Sequence, residues 1–121
     1  MADRLLFVSW GATVSGREER ALEVFNRAIA FYGRCQGDGR LESFDVVLLG
    51  PSGAGIHGFA TLHGSAGQLA ALREDREFQR VIADALLIVD DLAVIDGYAN
   101  QGVAEQVVIY QEAIAGVPQL A

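Results

Sequence analysis

The sequence predicts an α+β fold, in which one antiparallel sheet carries helices on a face. Three observations favour it: a two-armed alternating segment at residues 41–63, helical periodicity on both sides of that segment, and short apolar stretches typical of strands further out. Taken in order, the elements are β-α-β-β-α-β followed by one extra helix. No change in composition marks a linker, so residues 1–121 are expected to form a single domain.

The first predicted strand is RLLFVSW, residues 4–10. Apolar side chains occupy both of its alternating sets, with Leu5 and Phe7 in one set and Leu6 and Val8 in the other. A strand of this kind is usually buried on both faces. A helix layer covers only one face of a sheet, so this strand indicates a second covering partner.

The first predicted helix begins at a capping-box pattern, in which Ser15 precedes Glu18 by three residues. The helix continues to about residue 36, and the Gly-Asp-Gly segment at residues 37–39 ends it. Its apolar positions recur at steps of three and four, and they are expected to face the sheet: Ala21, Phe25, Ala28, Tyr32 and Cys35.

The central hairpin has LESFDVVLLG as its first arm and IHGFATLH as its second. The connection, Pro-Ser-Gly-Ala-Gly at residues 51–55, favours a turn because proline and glycine do not extend a strand easily. The other elements are therefore expected to pack around this hairpin.

Helix-start signals recur in the second half of the chain. Ser65 precedes a glutamine by three residues as a second capping box, and Asp75 is placed to cap a further helical turn. The last strand is predicted over residues 85–89 and 92–95, with an interruption at two aspartates. Asn100 is then expected to cap the final helix.

The composition narrows the range of partners. The chain has 121 residues, 51% of them hydrophobic, its net charge is −7, and all 9 basic residues are arginines. This charge disfavours nucleic acid and anionic membranes as partners, because both need clustered basic side chains. Neither a signal peptide nor a membrane-spanning segment is recognisable, so a cytoplasmic protein is expected. Cys35 is the single cysteine, which excludes an internal disulfide and a cysteine-based metal site.

The glycine pattern Gly53-x-Gly55-x-x-Gly58 matches the spacing of the dinucleotide-binding fingerprint. That fingerprint needs a helix that starts at the loop, whereas the residues after Gly58 alternate as a strand does. A flexible hairpin loop is therefore the preferred interpretation, and no cofactor is expected.

The two histidines, His57 and His63, share one face of the second arm, about 20 Å apart at the usual strand rise. They cannot bind one metal ion within a subunit, and no metal site is expected. His57 is a candidate proton acceptor in a pocket. The alternative is a hydrogen-bonded histidine at the sheet end or at a subunit interface.

Trp10, Tyr32 and Tyr98 are aromatic residues that also carry polar atoms. Because Trp10 ends the first strand and Tyr98 the last, the two are expected to line one end of a cleft between sheet and helices. Together with His57, the three aromatics form the predicted ligand-binding set. His57 and Tyr98 are the candidate catalytic residues. Core and interface packing is the alternative role for the aromatics.

The order, the size and the segments GRLESFDVVLL and LREDREFQRV resemble the dimeric α/β-barrel group of ferredoxin-like proteins. Within that group the chain is similar to uncharacterised bacterial proteins of this length and to YCII-like domains. The resemblance implies a ferredoxin-like βαββαβ fold whose sheets pair face to face in a dimer, with the helices outside. Activities known in the group include cofactor-independent monooxygenases, haem-degrading enzymes and small isomerases.

The sheet face away from the helices is expected to be apolar, and such a face is a liability in a monomer. We expect twofold pairing of identical sheets to bury it, giving a homodimer. The alternative cover is the amphipathic final helix, whose apolar positions share one side: Val103, Val107, Tyr110 and Ile114.

Three functions are consistent with the sequence. The leading one is a small homodimeric protein that binds a small, partly apolar molecule in a cleft between sheet and helices. The second is an enzyme of the cofactor-independent monooxygenase or isomerase type, in which Trp10, His57 and Tyr98 position the substrate. The third is a structural or protein-interaction module without a ligand. A pocket containing His57 or Tyr98 would favour the first two, and a filled interior the third.

Overall fold

The computed structural model describes residues 1–50, 53 and 55–120. Within these residues the chain forms four strands and four helices, and none of the helices is long and apolar enough to cross a membrane. The strands are β1 (Arg4–Trp10), β2 (Ser43–Leu48), β3 (Gly58–Gly64) and β4 (Ala93–Tyr98). The helices are α1 (Glu18–Gly37), α2 (Ala66–Glu74), α3 (Arg76–Leu86) and α4 (Gln101–Ala115).

The four strands form one antiparallel sheet in the order β2-β3-β1-β4. The central strand β1 pairs with two neighbours, so that Val8 lies opposite Ala60 on one side and opposite Val94 on the other. This arrangement confirms the predicted ferredoxin-like α+β fold, its order of elements and its extra C-terminal helix.

The two faces of the sheet differ in burial because side chains alternate along each strand. Leu6, Val8, Ala60 and Leu62 are buried, and the core formed with them takes residues from all three helices on that face. The helical members of this core are Phe31, Tyr32, Cys35, Leu69, Leu72, Phe78 and Val81. α1, α2 and α3 thus pack on one face of the sheet, as predicted.

The opposite side of the sheet is called here the open sheet face. The register and the alternation of burial place on it Leu5, Phe7, Asp45, Val47, Phe59, Thr61, His63 and Ile95. Phe7 and Phe59 pack against each other there, with ring centroids 5.1 Å apart. In the described part of the chain no helix covers these side chains, and Ile95 is exposed.

The predicted start of α1 is wrong in its capping. Arg17 occupies the N-cap position and no side chain caps the helix there. Gly16 has a φ of +85°, so the chain turns between Ser15 and the helix. Instead of the box, a carboxylate oxygen of Glu18 accepts a hydrogen bond from the Gly16 N–H at 3.2 Å. Val24 of α1 is also buried, in addition to the positions that the helical periodicity predicts to face the sheet.

The two later caps are confirmed. The Ser65 hydroxyl accepts from the Gln68 N–H at 3.1 Å, and the Gln68 side chain accepts from the Ser65 N–H at 2.8 Å. Asp75 caps α3 by accepting from the Glu77 and Phe78 N–H groups. The hairpin is confirmed through its strands β2 and β3, while Pro51, Ser52 and Ala54 of its predicted turn lie outside the described residues.

The prediction for the last strand is wrong at its start. Residues up to Leu86 belong to α3, and Val89 forms only an isolated bridge with Thr13. The apolar run at residues 85–89 predicts a strand, but Ala85 also continues the helical spacing of Val81 and Ile82, and packing against α1 favours the helix. The regular strand β4 begins after the turn at Asp91, whose φ is +55°.

The final helix α4 contacts the rest of the domain at its first residues, and its later residues are exposed. Asn100 occupies the N-cap position, as predicted, but its side chain forms no capping hydrogen bond; its side-chain amide donates to the Ala2 carbonyl at 2.6 Å. Gly102 lies so close to the N-terminal segment that a Cβ there would be 2.2 Å from the Asp3 carbonyl oxygen. From Val107 to Leu120 every residue is exposed, so α4 does not cover the open sheet face and that predicted alternative is wrong.

A buried carboxylate joins α1 to α3. Asp84 is only 7% exposed and forms salt bridges with Arg27, Arg80 and Arg20. Burial raises the pKa of Asp84, but hydrogen bonds from Arg80 and Arg27 outweigh it and hold the pKa below its usual value. The charged form of Asp84 is therefore stabilised by folding.

We predict that Asp84→Ala lowers the free energy of unfolding by about 1–2 kcal/mol at neutral pH, since its arginine partners are partly exposed and regain water. A carboxyl whose pKa is lowered by folding stabilises the protein above its unfolded pKa, and this stabilisation disappears as the pH falls through the folded pKa. The difference between wild type and variant, measured by urea unfolding, should therefore shrink in acid. Glu23→Ala, which removes an exposed partner of Arg20, is the control and should change stability by under about 0.5 kcal/mol. A pH-independent difference would contradict the role given to Asp84.

Candidate ligand-binding cleft

A cleft of about 360 Å³ lies between the helix-covered face of the sheet and the helices α1 and α3. Its volume is in the range of small-molecule sites. Among the described lining residues, those with polar side-chain atoms are Trp10, Thr13, Glu18 and Tyr32. The apolar residues include Val8, Val24, Phe25, Ile29, Val46, Val81, Ile82, Ile88 and Leu92. The expected cleft between sheet and helices is therefore present.

Short side chains open this space. Alanines line the cleft from three elements: Ala21 and Ala28 on α1, Ala60 on β3, and Ala85 on α3. A larger apolar residue at these places would fill the interior as in an ordinary close-packed core. The cleft thus arises where small residues from sheet and helices face one another.

Trp10 forms the end of the cleft at the last residue of β1. Its indole lies over Gly58, where a Cβ would be 2.5 Å from the Trp10 Cζ2 atom. Phe25 of α1 meets the indole edge to face, with ring centroids 6.1 Å apart. Trp10 lines the cleft, and its indole N–H is a hydrogen-bond donor.

Tyr32 supplies a second polar group from the middle of α1. The residue is 4% exposed and its ring packs against Phe31 and Phe44. Burial, with a smaller contribution from Cys35, raises the pKa of Tyr32 to about 12, so the hydroxyl keeps its proton at neutral pH. Tyr32 is one of the residues that line the cleft, and its phenol can both donate and accept a hydrogen bond.

The mouth of the cleft is marked by its exposed lining residues Thr13, Glu18, Leu22 and Leu48. Glu18 is the charged member of the lining in the part of the chain that the structure describes. Among the described lining residues of the cleft there is no arginine and no histidine. An anionic ligand would therefore enter without a cationic partner, at a large desolvation cost.

The structure separates the predicted site residues into two groups. Trp10 and Tyr32 line the cleft, whereas His57 and Tyr98 do not belong to the described lining. His57 is exposed in the connection before β3, and its backbone N–H donates to the Trp10 carbonyl at 2.8 Å.

The expectation that Trp10 and Tyr98 line one end of the cleft is wrong. β1 and β4 are antiparallel, so the register pairs Tyr98 with Arg4, at the opposite end of β1. Six residues at the usual strand rise separate the two ends by about 20 Å. Tyr98 instead packs under the Arg4 guanidinium, which lies 4.5 Å from the ring centroid.

His63 lies on the open sheet face. Its Nε2 is 3.1 Å from the Thr61 hydroxyl and 3.4 Å from a carboxylate oxygen of Asp45. This polar group belongs to the surface of the sheet and not to the cleft. Across the described residues no three histidine, cysteine or acidic side chains come together as a metal site would require.

Two other sequence features have structural roles. Gly58 begins a strand, so the helix that a dinucleotide-binding loop requires does not start there. Cys35 is fully buried, and burial raises the pKa of its thiol even though the charge of Arg40 acts to lower it. The raised pKa keeps the thiol protonated and unreactive.

Comparison with known proteins supports the fold. No protein-family model and no curated protein matches the chain. A dimeric protein of unknown function with a ferredoxin-like fold from Bacteroides fragilis is similar in structure, with a TM-score of 0.58, 10% identity, and coverage of 79% of this chain and 96% of that one.

Two similar structures are enzymes. The hydroxynitrile lyase of Passiflora edulis has a TM-score of 0.60 and 13% identity, covering 83% of this chain and 96% of its own. A cofactor-independent oxygenase from Streptomyces nogalater has a TM-score of 0.50 and 16% identity, covering 82% and 93%. At these identities the likeness shows the ferredoxin-like fold alone, and the YCII-like similarity stays a prediction.

The residues that shape the cleft were only partly found from the sequence. The alternation of β3 places Gly58 and Ala60 on the same face as Trp10 and Val8. This pairing of small with large residues is a sequence signal for space beside the sheet. The sequence predicts a strand at Ala85, whereas the structure places this residue in α3 and in the lining of the cleft.

We predict that Gly58→Ala displaces Trp10 and lowers the free energy of unfolding by about 1–3 kcal/mol, because the added methyl group overlaps the indole. Trp10 is the single tryptophan, so its fluorescence emission reports the displacement directly. Gly33→Ala, on α1 where a Cβ meets nothing within 4 Å, is the matched control and should stabilise by roughly 0.5–1 kcal/mol without changing the emission. An unchanged spectrum in Gly58→Ala would contradict the placement of the indole.

Proposed function

We propose that the protein binds a small, predominantly apolar molecule in the cleft between sheet and helices. The observation that carries the proposal is the space of about 360 Å³ that is lined by alanines and apolar residues together with Trp10 and Tyr32. Apolar walls give such a ligand its affinity, and a few polar groups fix its orientation.

The electrostatics of the lining select against anions. Glu18 is the charged group at the described mouth, and the protein as a whole has a net charge of −7. Tyr32 acts as a neutral hydrogen-bonding group, because burial raises its pKa to about 12. The proposed ligand is therefore a neutral molecule with one hydroxyl or carbonyl group that reaches Tyr32.

We predict that the neutral probe 1-naphthol binds saturably at neutral pH, whereas naphthalene-1-sulfonate, the anion of the same ring system, binds at least about tenfold more weakly because no cation compensates its desolvation. Tyr32→Phe should weaken naphthol binding about fivefold, the effect of one hydrogen bond of about 1 kcal/mol. Titration calorimetry measures both.

The matched control is Tyr98→Phe, which removes a hydroxyl from an exposed residue outside the described lining of the cleft and should leave the affinity unchanged. Equal affinity for the two probes, or an unchanged affinity in Tyr32→Phe, would contradict binding in the cleft.

The catalytic alternative, a cofactor-independent monooxygenase or isomerase, has less support in this chain. Similar folds include a lyase and a cofactor-independent oxygenase. Of the three residues proposed to position a substrate, however, only Trp10 belongs to the described lining. The alternative of a ligand-free interaction module is disfavoured by the open interior.

We also propose that the protein is a homodimer that pairs its open sheet faces, as the resemblance implies. The similar protein from Bacteroides fragilis is described as dimeric. Here the open sheet face carries Phe7, Phe59 and Ile95 without a covering element in the described chain. When such a face packs against an identical copy, the apolar side chains of both copies are removed from water. The cytoplasmic location expected from the sequence remains a prediction.

We predict that Phe59→Asp converts the dimer to a monomer at micromolar concentration, because the carboxylate would be buried beside its own copy across the interface. Sedimentation equilibrium measures the change. Leu86→Asp, at an exposed apolar residue of α3, is the control and should leave the dimer intact. A wild-type protein that is monomeric at these concentrations would contradict the proposed dimer.

A further inference from the structure

We propose that α4 is the second part of the self-association surface and docks on the partner copy through one apolar seam. The seam consists of Val103, Val107, Tyr110 and Ile114. This inference rests on the proposed homodimer and adds to it a contact that the βαββαβ fold does not provide.

The seam is a single stripe along the helix. Its members follow one another at steps of four, three and four, which places them within an arc of roughly 60° on an α-helix. Glu105 and Glu112 lie on the opposite side by the same geometry. All four seam residues are exposed. Val108 and Ile109 are also apolar and exposed, and they lie outside this stripe.

The helix lacks support from its own domain. Apart from Gly102, which is buried, and Gln106, which is half-buried, every residue of α4 is exposed. Isolated helices of 15 residues are marginal in water, and most helices in proteins are stabilised by packing of an apolar face. A partner for the seam is therefore needed to stabilise α4.

The start of α4 is held in place. The Ala99 N–H donates to the Asp3 carbonyl at 3.0 Å, and the Asn100 side chain donates to Ala2. Gly102 packs directly against Asp3. β4 is an edge strand of the sheet, so α4 begins at the edge of the sheet.

The area of the sheet favours a second copy as the occupant. Four strands of about six residues present a flat footprint of about 400 Å², since strands lie ~4.8 Å apart and rise ~3.3 Å per residue. A standard interface buries about 800 Å² on each partner. One side of α4 adds about 200 Å², given its length and diameter, so the sheet and the helix together approach what a stable dimer needs.

The charge pattern also favours an identical partner. Two copies of a chain with a net charge of −7 repel each other unless the surfaces that meet are uncharged. The seam carries no ionisable side chain except the Tyr110 phenol. On the open sheet face the described carboxylate is Asp45, which lies beside His63.

The test compares two neighbouring valines on α4. Val107 lies in the seam and is 48% exposed, whereas Val108 lies about 100° away around the helix and is 52% exposed. Val107→Glu and Val108→Glu therefore introduce the same charge and the same helix propensity at equal exposure. We expect Val107→Glu to weaken the dimer at least tenfold by sedimentation equilibrium, and Val108→Glu to leave it within twofold of wild type. Circular dichroism checks that both variants retain their helix content.

The outcomes separate the helix contact from the sheet contact. If Phe59→Asp dissociates the dimer and Val107→Glu does not, the sheet interface stands and the role of α4 is overturned. Equal weakening by both valine variants would also overturn it, because a seam-specific contact must distinguish the two faces. A monomeric wild type would overturn the seam together with the dimer.

Discussion

The pairing of β1 with two neighbours is the constraint on which the rest of the structure depends. Because β3 and β4 both bond to it, β1 is fully internal to the sheet and its side chains must alternate between two environments. Leu6 and Val8 enter the core beneath the helices, and Phe7 points to the open sheet face. The same strand ends at Trp10, so its length also sets where the cleft begins.

The cleft is a consequence of residue size and not of a special loop. Large core residues such as Phe31 and Leu62 close the interior at one end, and alanines from three elements leave the other end open. Asp84 of α3 forms salt bridges with Arg20 and Arg27 of α1 and so joins the two helices that line the cleft. The interior therefore retains space without loss of a continuous core.

The ferredoxin-like fold hosts different chemistries, so the function of this chain has to be argued from its cleft. The similar lyase and oxygenase share 13% and 16% of their residues with it. In the described cleft the polar groups are a neutral phenol, an indole, a hydroxyl and one carboxylate at the mouth. Such a lining is suited to holding a neutral molecule in one orientation.

The sequence by itself determined the class of fold and the order of its elements. Of the four residues it predicted for ligand binding, Trp10 and Tyr32 line the cleft. The class of fold and the order of elements followed from local physics: alternation in β1 and β3, and the capping side chains of Ser65 and Asp75. Tertiary structure alone decided which residues meet. The antiparallel register carried Tyr98 away from Trp10, and packing against α1 drew Ala85 into α3 and to the cleft. The local pattern around Ala85 is compatible with a strand or a helix, and the place of Tyr98 depends on the pairing of two strands far apart in the chain, so contacts between distant residues decided both results.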